Sequence, residues 1–584
     1  MATHSGMFTF DRGSTLTQSG DGVWTNERPV GGIARHASGL TGTWDGRIDN
    51  RDDLLIRLGD AAPDDARLAL AMFERWGTAG LASIVGEWCL VVWDEVRRTI
   101  HLARDYMGAR PLYYCVDAAG AAWSSDLGDL VTSTGREHDL CERFAARFMC
   151  LAARSDATPY EGVHAVPPGT CVSITAAGRV TRRPFWQIEA GEIRYRDSRI
   201  YEEQLRALWR DAVRSRLRTN QIVWAELSGG LDSSAVVCMA HLLIERGLTS
   251  SPAHRTVSHA TLHSPEGDER RFIAEVERRT GVRSEIVGVE DSQEQSDPER
   301  AWLTPYALQG VGLETARRVR AGGGRLVLSG RLGDAVMGCQ PDNSAAVWDD
   351  LGRGRLLTAL RSLRSWSRAT RKPFVEIACR LLRPETSAAR DTGVDLLTPR
   401  LRTLLRDAPA IEVPADVPRS KRGLARMILG YAAGARLDIP HRPADIVYAY
   451  PFAHRPLIDF MLAIPGGELS EPGTTRALMR RAFAPFVPPR VIRRVSKGYY
   501  PPAAFRAARR AVASLAAGDL EVVQRGWIDP ARLQAAIHAL TDGGGETGGD
   551  VHTVLRLEAW LQARRAHLRI PVRKEVNSHE VLHA

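Results

Sequence analysis

In the first third of the chain, apolar residues fall in short runs bounded by charges and turn formers. Trp88–Trp93 and Thr99–Ala103 read as buried strands, and Thr170–Thr175 reads as another after the turn Val166-Pro167-Pro168-Gly169. Asp65–Trp76 places Leu68, Leu70, Ala71 and Phe73 at helical spacing. The rhythm changes beyond residue 190. A helix is expected from Ser198, with Tyr201, Leu205, Leu208 and Val213 as its apolar positions. Strand-like segments then alternate with helical ones: Ile222–Leu227, Ser233–Ile244, Thr256–Leu262, Asp268–Arg279, Glu285–Val289, Leu313–Arg320 and Arg325–Ser329. Such alternation predicts a parallel sheet covered by helices, with ligands beyond the carboxyl ends of its strands. From about residue 400 the pattern is mostly helical.

Charge sharpens this division. The 584 residues carry a net +9, but residues 1–190 hold 19 basic and 24 acidic side chains. The remainder holds 59 basic and 45 acidic. A boundary near residue 190 follows, giving domains 1–190 and 191–584. Within the second, residues 353–383 contain nine basic residues and one acid, Glu376. Trp366, Leu356, Leu357 and Leu363 interleave with them, which suits either a peptide-binding face or an amphipathic helix packed on its own domain. At 44% hydrophobic and 25% charged residues the composition is globular. No apolar run is long enough for a membrane helix, and Met1–Arg12 has no secretory pattern, so a cytoplasmic location is expected. The eight cysteines form no CxxC pair and are expected to be reduced core thiols.

The chemistry concentrates after the strand Ile222–Leu227. Ser228-Gly229-Gly230-Leu231-Asp232-Ser233-Ser234 turns the chain into a helix. Glycines let backbone N–H groups approach an anion, and the helix start favours phosphate oxygens. Ser228, Ser233 and Ser234 add hydroxyls. Asp232 would repel phosphate unless a divalent cation lay between them, which points to Mg²⁺. The turn has no Gly-Lys-Ser/Thr and is not a Walker loop.

This turn resembles the pyrophosphate loop of the ATP pyrophosphatases, and the whole chain resembles the asparagine synthetase-like proteins within them. Trp44–Leu54, Leu102–Tyr114, Val166–Gly169 and Trp186 are similar to the family's amidotransferase half. Asp268-Glu269, Ser329–Gly338, Tyr450–Leu457, Arg476 and Ser496-Lys497-Gly498 are similar to its synthetase half. The resemblance implies an α/β protein with an Ntn-type αββα sandwich followed by an ATP-pyrophosphatase domain with a parallel sheet and a helical extension. It implies ATP and Mg²⁺ as cofactors, Asp232 and Asp334 as metal ligands, and Asp334 and Lys497 as catalytic groups.

Departures from the family pattern carry the substrate information. Glutamine-hydrolysing members use a cysteine directly after the initiator Met. Here Ala2 holds that place, and Ser5-Gly6-Met7 resembles the family's Cys-Gly-Ile. Asp45, beside Gly46, replaces an asparagine that would donate to an oxyanion, where a carboxylate opposes one. Ser5, Asp45 and Gly46 thus mark a degenerate glutaminase site. Arg331 and Ala335 stand where asparagine-forming enzymes carry acids. The amine must then come from elsewhere, as in the lasso peptide cyclases, which close a macrolactam on a precursor peptide, and in the β-lactam synthetases. A precursor peptide is the expected substrate and a small carboxylate the other; a leader-binding protein and a protease are expected partners. Nucleic acid is disfavoured, since no RNA-binding module accompanies the loop. Glu314, Tyr499 and Tyr500 are candidates for the base that deprotonates the amine.

Overall fold

The computed structural model describes residues 5–9, 13–15, 31–59, 62–150, 156–189, 191–261, 267–289, 300–306, 310–340, 342–382, 394–405, 411–434, 446–495, 520–541 and 548–569. Among the described residues of the first half there are eleven strands: β1 Ser5–Thr9, β2 Gly13–Thr15, β3 Gly31–Arg35, β4 Leu40–Ile48, β5 Gly86–Asp94, β6 Thr99–Arg104, β7 Tyr113–Val116, β8 Gly120–Ser124, β9 Val163–Ala165, β10 Thr170–Thr175 and β11 Val180–Pro184. They form two antiparallel sheets, ordered β2-β1-β8-β7-β9 and β11-β10-β6-β5-β4-β3.

The run Trp88–Trp93 is apolar throughout because β5 is covered on both faces. Trp88, Leu90 and Val92 meet Leu54, Leu58, Leu68 and Met72 of the helices Arg51–Leu58 and Asp65–Trp76. Cys89, Val91 and Trp93 point the other way, against Tyr114, Ala121 and Trp123 of the facing sheet. The period-2 alternation of a strand delivers each set to its own layer. Leu127, Leu130 and Val131 of the helix Leu127–Ser133 cover the outer side of that second sheet. The layers are therefore helix, sheet, sheet, helix.

The second half opens with the helix Ser198–Arg216, capped by the Asp197 side chain on Arg199 N–H. Among the described residues five parallel strands follow: β12 Val223–Glu226, β13 His254–Ala260, β14 Ser284–Gly288, β15 Leu326–Leu328 and β16 Val447–Ala449. Their order is β14-β13-β12-β15-β16. The chain runs outward from β12 to β14 on one side, then returns to β15 on the other. The expected strands and helices of this half all form, with ends shifted by a few residues at most. β16 departs from the helical expectation beyond residue 400. It is three residues long and pairs with β15, so a local pattern is too short to reveal it.

The helical extension forms its own core. Val551, Val554, Leu557, Trp560 and Leu561 of the helix Gly548–Arg569 pack with Leu533 and Ile537 of the helix Pro530–Thr541. Phe144, Phe148 and Met149, from the first half, join them. Five of the eight cysteines are buried as expected; Cys141 and Cys339 are half-buried, and Cys379 is exposed, which corrects its reading as a core thiol. Among the described residues no helix is long and apolar enough to cross a membrane.

Candidate active site

β12 and β15 are neighbours at the point where strand order reverses, so the turns that leave their carboxyl ends lie side by side. This is where an open parallel sheet leaves a crevice for a ligand. One turn is Ser228–Ser234, which opens the helix Leu231–Glu245. The other, Ser329–Gly338, contains the short helix Gly333–Val336.

The first turn holds itself together. Ser228 N–H donates to Ser233 Oγ at 3.0 Å, the two hydroxyls lie 3.0 Å apart, and Ser233 Oγ donates to Gly230 O at 3.3 Å. Gly229 adopts φ +68°, and a Cβ there would stand 2.8 Å from Phe272 Cβ. The left-handed backbone and the close neighbour both require glycine. Ser234 is fully buried, and its Oγ has no hydrogen-bond partner among the described residues. The second turn packs tightly against the first: a Cβ on Gly333 would lie 2.6 Å from Asp232 Cγ.

Asp232 and Asp334, predicted from different motifs, converge on one guanidinium. Arg476 Nη1 donates to Asp232 Oδ1 and Oδ2 at 2.7 and 2.8 Å, and Nη2 donates to Asp334 Oδ1 at 2.5 Å. Nη2 also lies 3.2 Å from Cys339 Sγ. Arg476 and Leu332 are two of the four non-glycine residues with positive φ among the described residues, at +56° and +71°. Such backbone costs about 1–2 kcal/mol per residue and collects at functional sites.

A second arginine braces the loop from outside. Arg494 pairs with both oxygens of buried Glu269, donates to Gly229 O at 3.0 Å, and lies over the Phe272 ring at 4.1 Å. Glu269 is the second residue of the Asp268-Glu269 motif. Arg494 was not singled out from the sequence, although it lies two residues before Ser496-Lys497-Gly498. Arg331 is exposed, and Ala335 is fully buried. Glu226, at the end of β12, accepts from Ser329 Oγ at 2.5 Å. Glu314 is engaged by Arg318 at 2.8 Å. Lys497, with Ser496, Gly498, Tyr499 and Tyr500, lies outside the described residues.

The geometry fits a nucleotide with a divalent cation. Two carboxylates already share one positive group, and the backbone of the neighbouring turn admits an anion closely. Among the described residues no cluster of three or more His, Cys, Asp or Glu could form an all-protein metal cage. A cation held here would complete its shell with phosphate and water.

The asparagine synthase model matches residues 204–562. The chain belongs to the asparagine synthase family. A glutamine amidotransferase domain model also matches residues 58–186. Among curated proteins, the chain is 28% identical over 290 residues to amidase chry2 of Gibberella zeae, covering 47% of this chain and 43% of that protein. It is 31% identical over 223 residues to carboxyethyl-arginine beta-lactam-synthase of Streptomyces clavuligerus, covering 36% and 40%. It is 24% identical over 207 residues to asparagine synthetase 3 (glutamine-hydrolyzing) of Bacillus subtilis, covering 34% and 33%. The chain thus spans less than half the length of each of these relatives.

For this member of the family, the largest feature that sequence reasoning missed is a buried charge network joining the halves. Arg216 Nη2 donates to Glu87 Oε1 at 2.9 Å, and its Nη1 lies 3.3 Å from Asp49 Oδ2. Arg47 binds Asp49 at 2.6 Å, and His454 Nδ1 lies 3.5 Å from the same carboxylate. Glu87 Oε1 also accepts Tyr450 N–H at 2.9 Å. Burial pushes both carboxyls up, yet Arg47 and Arg216 prevail: Asp49 is held well below the usual carboxylate range and Glu87 below its own. The sequence signals were Trp44–Leu54, which contains Arg47 and Asp49, and Tyr450–Leu457, which contains His454; neither pointed to Glu87 or Arg216 or to the pairing.

In the first half, Ser5 stands opposite Ser124 across β1 and β8, while Asp45 and Gly46 stand opposite Cys89 and Trp88 across β4 and β5. Asp45 is buried. Cys89 is itself buried, and burial, and then the Asp45 charge, push its thiol well above its usual range, which disfavours the thiolate a nucleophile needs.

Proposed function

We propose that the chain is an AMP-forming ligase that activates a carboxylate with ATP and converts it to an amide. In this reading residues 1–190 are a degenerate amidotransferase-like domain and residues 191–584 the synthetase. The observation that carries it is the convergence of Asp232 and Asp334 beside the Ser228–Ser234 turn in a chain of this family.

The backbone N–H groups and hydroxyls of Ser228–Ser234 bind the pyrophosphate end of ATP. Asp232 and Asp334 hold Mg²⁺, which when bound neutralises charge developing on the phosphates. Lys497 is assigned to the same task. The substrate carboxylate oxygen attacks the α-phosphorus as the bond to pyrophosphate breaks, giving an acyl-adenylate. An amine nitrogen then bonds to the acyl carbon, loses its proton, and AMP departs. The site's own work is to fix the phosphates in line and to stabilise the leaving charge.

The substrate we favour is a precursor peptide whose Asp or Glu side chain is joined to its own N-terminal amine. Two features support it. Ala2, Ser5 and Asp45 depart from the residues that glutamine hydrolysis uses, which favours an amine other than ammonia released from glutamine. A groove of about 760 Å³ is lined by four arginines, among them Arg353 and Arg355 of the basic 353–383 segment, by the acids Asp349, Asp350, Glu468 and Glu471, and by Tyr195 and Trp366. That volume suits a ligand larger than a single amino acid. Trp366 and Leu363 are buried against Val347, while Leu356 and Leu357 are exposed. A β-lactam synthetase is the second reading, favoured by the Streptomyces clavuligerus relative. Pyrophosphate release distinguishes them. Release stimulated only by a linear peptide with a free N-terminus supports cyclisation. Release with small β-amino acids supports the second reading, release with aspartate and ammonia restores asparagine synthesis, and silence with every carboxylate refutes the ligase.

A further inference from the structure

We infer that Arg476 is a positioning residue of the nucleotide site: its guanidinium competes with a divalent cation for Asp232 and Asp334, then turns to phosphate. The inference deepens the ligase reading and rests on it for the identity of the cation.

Three separate elements meet at this point. Asp232 comes from the turn after β12, Asp334 from the turn after β15, and Arg476 from the residue preceding the helix Ala477–Phe483. The guanidinium spreads over both oxygens of Asp232 and one of Asp334, at 2.5–2.8 Å. Its side chain and that of Asp232 are about nine-tenths buried, so solvent screens that pair little, while Asp334 is more open to solvent. Two carboxylates this close repel one another unless a positive group lies between them. Arg476 is such a group, and its planar fork reaches both at once, which a single ammonium cannot do.

A divalent cation bound at about 2.0–2.1 Å uses the same oxygen lone pairs. Arg476 cannot keep its hydrogen bonds to those lone pairs while the cation holds them. The cation alone must therefore displace a buried, charge-assisted contact. When the cation arrives with ATP, the displaced guanidinium gains phosphate oxygens, for which its fork geometry is equally suited. Metal and nucleotide then bind as a coupled pair, and Arg476 is the coupling element. The positive φ of Arg476, with its backbone N–H donating to Gly338 O at 3.3 Å, fixes where the side chain starts.

Mn²⁺ binding to the full-length protein without nucleotide tests this directly, read by electron paramagnetic resonance. Arg476→Met is expected to bind Mn²⁺ at least about tenfold more tightly than the wild type, and Arg476→Lys to fall between them. With an α,β-methylene ATP analogue present, the advantage of Arg476→Met is expected to disappear. A merely structural arginine predicts the reverse, because loosening the three elements would weaken the metal site. Mn²⁺ affinity equal to or below wild type in the folded variants overturns the inference. Should Arg476→Met fail to fold, Arg476→Lys alone decides the sign. A wild type that releases no pyrophosphate with any carboxylate refutes the ligase reading without altering the Mn²⁺ comparison, so the two failures are separable.

Discussion

Replacing Arg216 with Met tests whether the two halves are held by charge. The Arg216 side chain is 1% exposed and faces Glu87 and Asp49, which are 2% and 1% exposed. Removing one partner of a buried ion pair costs about 3–5 kcal/mol, because the other charge stays buried. Arg47 remains 2.6 Å from Asp49 and 3.5 Å from Glu87, so the lower end applies, about 3 kcal/mol at pH 8. The pH dependence has a definite sign. In the wild type both carboxyls are held below their unfolded values, so their contribution is present above those values and is lost as pH falls through the folded ones. In Arg216→Met the lost cation lets burial raise both. The deficit is therefore greatest at pH 8 and shrinks toward pH 5, as protonation removes the uncompensated charge.

Thermal unfolding followed by circular dichroism at both pH values measures this. A fall of about 5–10 °C at pH 8 is expected for a unit of this size. Arg199→Met serves as the control, since Arg199 pairs with Asp197 at the surface, with 80% of its side chain exposed, and no measurable change is expected. A deficit below about 1 kcal/mol, or one equal at pH 5 and pH 8, refutes the claim that buried charge joins the halves.

Asp232→Asn is expected to lower ATP–pyrophosphate exchange by at least about a hundredfold, while Ser5→Ala leaves turnover unchanged; a Ser5→Ala variant that stops turnover sinks the degenerate-glutaminase reading. Gly229→Ala forces a left-handed residue against Phe272 and should raise the KM for ATP about tenfold, with far-ultraviolet circular dichroism preserved; an unchanged KM would mean that the turn does not hold phosphate. Lys421 is fully buried, donates to Met461 O at 3.2 Å, and is lowered to about 7 by burial. Its folded value lies below its unfolded one, so it destabilises most below pH 7, and the penalty fades as pH rises toward 10. Relative to wild type, Lys421→Met is expected to gain stability at pH 7 and to lose that gain by pH 10, read from urea midpoints at the two pH values; a difference that does not vary with pH contradicts this.

The parts of the site visible in sequence were those that local chain chemistry determines. Ser228–Ser234 declares itself because a glycine pair, hydroxyls and an acid between strand and helix have few other uses. Asp334 was reached through the order of motifs. Arg476 was noticed only as one late basic residue, since nothing local says that it meets carboxylates 244 and 142 positions away. Arg47 and Asp49 lie within Trp44–Leu54 and His454 within Tyr450–Leu457, but their pairing with Glu87 and Arg216 was invisible for the same reason. Each of these residues alone resembles a surface charge, and only tertiary folding brings them to one buried point. β16 escaped because its identity lies in its pairing with β15 rather than in its three residues.

That network also gives the first half a role that does not require glutamine hydrolysis. Glu87 accepts the N–H of Tyr450, the residue directly after β16. Ser329 N–H donates to Ala449 O at 3.0 Å, so the end of β16 fixes the start of the turn that carries Asp334. Tyr106 OH donates to Ala453 O from the same side. Contacts therefore link the amidotransferase-like half, through Tyr450 and Ala449, to Ser329, where the turn that carries Asp334 begins. The expected consequence is that Glu87→Gln, which keeps an acceptor for Tyr450 but discards the charge facing Arg216, lowers thermal stability more than it lowers pyrophosphate exchange. Glu87→Ala, which removes the acceptor as well, should lower both. Equal effects of the two variants on exchange would show that the Tyr450 contact does not reach the site.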